Sequence, residues 1–158
     1  MESIKGINLK QYAELISKTA DATNEDDFWR IIESNGVTRA DWIEAKDGWN
    51  QKIMAVENYL TVTKNYTTYL EQAVTEKNKG QAPCSLESYA DISVQISYRK
   101  NPSKPTELLG FEEVMKENHL SSYKWVEFAG YWAPKVILPE YSAKYFSLFT
   151  QLGEKYQK

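Results

Sequence analysis

The feature that most limits how this chain can fold is that part of it is written twice. Residues 28–53, "FWRIIESNGVTRADWIEAKDGWNQKI", align without a gap to residues 111–136, "FEEVMKENHLSSYKWVEFAGYWAPKV", 83 positions later. Six of these 26 positions are identical: Phe28/Phe111, Asn35/Asn118, Trp42/Trp125, Glu44/Glu127, Trp49/Trp132 and Lys52/Lys135. Residue frequencies give roughly one or two by chance. Upstream, "NLKQYAEL" (8–15) matches "SLESYADI" (85–92) at an offset of 77. The six-residue difference falls in "SYRKNPSKPTELLG" (97–110), whose Lys, Pro and Ser suit a surface loop. Two repeats, 7–75 and 84–158, joined near "KNKGQAPC", are therefore expected within a single compact domain over 1–158.

Each repeat reads as three helices. Asn8 can cap a helix whose apolar positions Leu9, Tyr12, Ala13, Ile16 and Ala20 share one face. Asn24 can cap the next, with Glu25, Asp26 and Asp27 in its first turn matching the positive end of the helix dipole. That helix should stop at Asn35-Gly36, where glycine takes the left-handed conformation, and Thr38 with Asp41 restarts the chain. Trp42 and Trp49 are seven apart, so they drift by only about 20° and lie on nearly one face, with Ile53, Val56 and Leu60 extending the stripe. No Pro or Gly interrupts 49–79, and one long helix is expected through most of 50–77. In the second repeat Pro134 and Pro139 predict a stop near 133 and a final helix over 139–156. "DISVQISYR" (91–99) alternates like a strand, but its match to the helical first repeat favours helix through 96. The fold class expected is all-α: two pseudo-symmetric three-helix modules packed as one bundle-like domain.

Composition narrows function by exclusion. Formal charge is −3, with 10 basic and 13 acidic groups in 1–79 and 9 of each in 80–158, so neither half carries a basic footprint for nucleic acid or an anionic membrane. The one cysteine, Cys84, allows no internal disulfide and fits a reducing compartment. With no basic segment leading into an apolar run at the start, and no 18 apolar residues together, a cytoplasmic protein is expected.

No convergent chemistry stands out. One His and one Cys make no usual zinc set, and a catalytic triad would have to be built on His119, which falls at a helix end where capping is the simpler role. Cys84 precedes a helix start, a place that can depress a thiol pKa. Consecutive residues such as Glu25, Asp26 and Asp27 point about 100° apart on a helix and do not converge on a metal. No catalytic residue, metal or cofactor is expected.

Residues that match across the repeats are read as scaffold: Trp42, Trp49, Trp125 and Trp132. Bulky residues present in one repeat only need another reason. Trp29 (opposite Glu112), Tyr123 (opposite Ala40), Phe128 (opposite Ala45) and Tyr131 (opposite Gly48) are the binding candidates, with packing between the modules as the competing account.

The motifs resemble those of an uncharacterised bacterial family of small, duplicated, Trp-bearing helical proteins. The likeness rests on Gly6, Ile7, Leu9, Tyr12 and Ala13, on Gly36 and Val37 ahead of Trp42 and Trp49, and on "PCSLE" (83–87) and "YWAPKV" (131–136). The second repeat departs from the pattern at His119, which replaces the glycine. Members of that family have no assigned activity and occur near genes for contact-dependent secretion, so the resemblance implies an immunity or chaperone-like partner of a secreted bacterial protein. The function expected is a non-enzymatic protein-interaction module with an unidentified protein partner. The alternative is an apolar small-molecule binder or enzyme with a pocket between the modules, and a homodimer burying the same aromatics is a third reading.

Overall fold

In a computed structural model, which describes residues 1–157, the chain is mostly helical. Among the described residues its eight α-helices are α1 (Leu9–Thr19), α2 (Glu25–Ser34), α3 (Arg39–Met54), α4 (Lys64–Lys77), α5 (Leu86–Tyr98), α6 (Phe111–Glu117), α7 (Ser122–Trp132) and α8 (Pro139–Gln157). Two short antiparallel hairpins accompany them, β1 (Ser3–Ile4) with β2 (Ile7–Asn8) and β3 (Lys100–Asn101) with β4 (Lys104–Leu108). The chain divides into two compact units, Met1–Gln81 and Ala82–Lys158.

In the first unit the caps expected from sequence form. Asn8 accepts the Gln11 amide at 2.8 Å while the Gln11 side chain accepts the Asn8 amide at 2.9 Å, a reciprocal box that satisfies two otherwise orphaned donors. Asn24 receives the Asp27 amide, and Thr38 receives that of Asp41. Gly36, at φ +79°, closes α2, its amide donating to Glu33 O and that of Val37 to Ile32 O. The core is Tyr12, Ile32, Trp42, Ala45 and Trp49, with Tyr12 stacked on Trp42 at 5.4 Å. The Trp49 indole N–H, buried with the ring, donates to Ile7 O at 3.0 Å.

Two expectations fail here. The unit has four helices rather than three, because α3 does not run into α4. Ala55 turns extended (φ −73°, ψ 122°), and a 3-10 turn (Val56–Asn58) and a π turn (Tyr59–Thr63) intervene. Side chains stand in for the lost helical bonds: Thr63 Oγ1 donates to Ile53 O at 2.6 Å and Asn58 Nδ2 to Lys52 O at 3.1 Å. Val56 and Leu60 consequently leave the Trp stripe for solvent. The second difference is the β1–β2 hairpin, whose turn places Lys5 at φ 52° and Gly6 at φ 77°, the pair of positive angles that a tight hairpin needs.

The second unit also has four helices. Ser85 caps α5, which runs to Tyr98 despite its alternating residues. α5 packs against α6, α7 and α8 together, so apolar residues are required on more than one of its sides and the helical period is blurred. The 97–110 insertion, expected as a loop, is the exposed β3–β4 hairpin. His119 closes α6 in the left-handed region (φ 55°), its amide donating to Lys116 O and that of Leu120 to Met115 O. Tyr89 stacks on Trp125 at 5.4 Å, and the Trp132 indole N–H donates to Cys84 O at 3.0 Å. Trp42, Trp49 and Trp132 are buried, while Trp125 is half-buried against both apolar clusters of its unit.

Candidate functional site

The α3–α4 junction leaves four large apolar side chains in water within seven residues: Met54 is 82% exposed, Val56 87%, Tyr59 63% and Leu60 76%. A monomer gains nothing from such a grouping, and contiguous exposed apolar surface marks an interaction site or a liability. Its origin lies in chain length. Tyr12 packs on Tyr66 at 5.7 Å in one unit and Tyr89 on Tyr145 at 5.9 Å in the other. The offset therefore falls from 83 at Trp49/Trp132 to 79 at Tyr66/Tyr145, and the first unit holds four more residues in this junction. That change of offset was the sequence signal that could have singled out Met54, Val56, Tyr59 and Leu60.

The four aromatics singled out from sequence do not gather in one unit. Trp29 lies on α2, half-buried, edge-on to Phe28 at 5.1 Å with the Arg39 guanidinium 5.3 Å from its ring. Tyr123, Phe128 and Tyr131 lie on α7. Phe128 is buried in the second unit's core with Tyr89 and Trp132, and Tyr123 is half-buried. Tyr131 stands edge-on to Trp132 at 5.0 Å with Lys135 Nζ 3.9 Å from its ring centroid. At the position aligned with Tyr131 the first unit is close-packed: a Cβ on Gly48 would lie 2.6 Å from Cδ1 of Ile4, on the β1–β2 hairpin, whose side chain would have to shift. Residues 82–85, directly ahead of α5, form no such hairpin.

Each unit also has a cleft beside its first helix. In the first unit, Ile7, Leu15 and Val37 form the floor of a cleft of about 370 Å³, and Lys5, Glu14, Lys18 and Asp41 stand on its rim. In the second, Ile92, Leu120 and Phe128 line about 260 Å³ together with Cys84, Asp91 and Asn118. The linings correspond: Ile7/Cys84, Gln11/Ser88, Glu14/Asp91 and Leu15/Ile92 at offset 77, Asn35/Asn118 and Val37/Leu120 at offset 83. Burial pushes the Cys84 thiol up to about 11, against the depression its place before a helix suggested, so it is protonated at neutral pH.

No family model, curated protein or solved structure matches this chain, and the family resemblance rests on its motifs alone. Among the described residues no group of three His, Cys, Asp or Glu side chains could hold a metal ion, and no helix is long and apolar enough to cross a membrane.

Proposed function

We propose that this chain is a non-enzymatic interaction module made by duplication of one helical unit, and that it meets a protein partner through the α3–α4 junction. The observation that carries the reading is the exposure of Met54, Val56, Tyr59 and Leu60 on a segment that the other unit has in shorter form. Large apolar side chains that do not pack inside their own unit are what a docking face requires.

Bonds that recur at the sequence offsets support duplication with pseudo-symmetry. The indole-to-carbonyl bonds Trp49–Ile7 and Trp132–Cys84 are both 3.0 Å. The Asn35 amide side chain donates to Ile31 O and that of Asn118 to Val114 O, each at 2.7 Å. The left-handed closures at Gly36 and His119 correspond as well. The partner class follows from the motif resemblance: a secreted bacterial protein that this chain accompanies as an immunity or chaperone-like protein.

The test is affinity capture from the native host with wild type beside Met54→Asp/Leu60→Asp, a variant at exposed positions whose helicity should be unchanged by circular dichroism. A stoichiometric partner lost in the variant is expected; a partner retained by it would remove the junction from the interface. Mass in solution separates a second copy of the chain from a different protein.

A further inference from the structure

We propose that the first unit's cleft binds a small zwitterion with an apolar side chain, an apolar amino acid or a short apolar peptide with free ends. This goes beyond the junction described above, which lies on other residues of the same unit. The inference comes from how two corresponding clefts dispose of their polar groups.

In the second unit those groups are committed to the protein. The Asp91 carboxylate accepts from Gln95 Nε2 at 3.1 Å and from the Tyr156 hydroxyl at 2.8 Å. Asn118 exchanges two hydrogen bonds with Gln95, at 3.0 and 3.2 Å. Phe128 fills space from the side, and among the described residues no lysine lines that cleft.

In the first unit the same positions carry uncommitted charge. Glu14 stands where Asp91 stands, and among the described residues its carboxylate has no hydrogen-bond or ion-pair partner; nor has that of Asp41. Lys18 replaces Gln95 and donates only to the neutral Asn35 Oδ1, at 2.8 Å. Lys5, which corresponds to Ala82, adds a second cation, shared with Glu44 at 3.4 Å. Gly6 and Gly36 border the cleft at positive φ, each facing open space. Carboxylates and ammonium groups of both signs around the apolar floor of Ile7, Leu15 and Val37 complement an ammonium, a carboxylate and an apolar side chain held together in one ligand. The volume of about 370 Å³ falls within the range of small-ligand sites and holds one or two residues.

The experiment is an amide-resolved NMR titration of the whole chain with L-leucine and with L-leucyl-L-leucine, against N-acetyl-leucine amide as the uncharged control. Saturable shifts are expected at Leu15, Gly36 and Val37 and not at Ile92 or Leu120, giving one site per chain. Glu14→Gln and Lys18→Met, both outside the core, should each weaken binding about tenfold, the loss of one charge-assisted hydrogen bond. Leucine binding as well as the dipeptide identifies a free amino acid as the ligand class, and binding of the dipeptide alone identifies a peptide. No saturable shift with either probe, equal shifts in both units, or binding of the capped control as tight as that of the zwitterions would each overturn the proposal.

Discussion

Glu44 and Glu127 are aligned with each other in sequence at an offset of 83 and live in opposite environments. Glu44 reaches Lys5 across 3.4 Å of open surface with 61% of its side chain exposed, whereas the Glu127 side chain is fully buried and receives Lys124 Nζ at 2.7 Å. The difference teaches that a match in sequence does not carry a role with it. What recurs is whatever the backbone needs, namely the caps, the left-handed closures, the indole-to-carbonyl bonds and the Tyr–Trp stack. What diverges is how side chains are disposed of once those needs are met.

Several substitutions would break or sharpen that contrast. The largest effect is expected at the ring stack: Trp42→Ala, at a site 1% exposed, should cost about 3–5 kcal/mol, and Trp125→Ala clearly less because its ring is half-buried. Equal losses in urea titrations would erase the difference between the two cores. Next comes the carboxylate pair. Glu127→Ala, which removes a fully buried carboxylate that receives Lys124 Nζ, should cost about 2 kcal/mol, while Glu44→Ala should stay within about 0.5 kcal/mol. The helix closures should respond with opposite sign: Gly36→Ala, forced to φ near +79°, loses about 1–2 kcal/mol, and His119→Gly gains up to about 1 kcal/mol. A thermal scan that found His119→Gly destabilising would mean that the imidazole contributes more than its backbone strain costs. Most alike are Trp49→Phe and Trp132→Phe, each losing one indole hydrogen bond and about 1 kcal/mol.

Local chemistry made much of the fold legible. Asn8, Asn24 and Thr38 cap because short polar side chains reach amides three residues on, and Pro139 opens α8 where a missing N–H costs nothing. Helix at 91–98 was readable only from its match to the first repeat, since burial on several sides hid its period. The break at Ala55 was not legible: no Pro or Gly marks it, and it is held by Thr63 and Asn58 bonding back to carbonyls ten and six positions earlier. The clefts were less legible still. Their linings match in sequence once the offsets are known, but whether a carboxylate is committed, as in Asp91, or open, as in Glu14, depends on Gln95 one turn along the same helix and on Tyr156 arriving from α8. Phe128 shows the limit of reading bulk as binding, for an unmatched aromatic can equally be what fills a core.

The interrupted passage from α3 to α4 has a consequence for how the chain can be cut. Tyr59 and Leu60 present exposed side chains of the kind a chymotrypsin-like protease takes, on backbone that is not regular α-helix. Scission there would sever the covalent link between α3 and α4, yet Leu70 and Val74 of α4 remain buried in the first unit, where α4 packs against α1. The nicked chain should therefore stay assembled as two fragments that separate only on denaturation, a ready-made division for a split reporter.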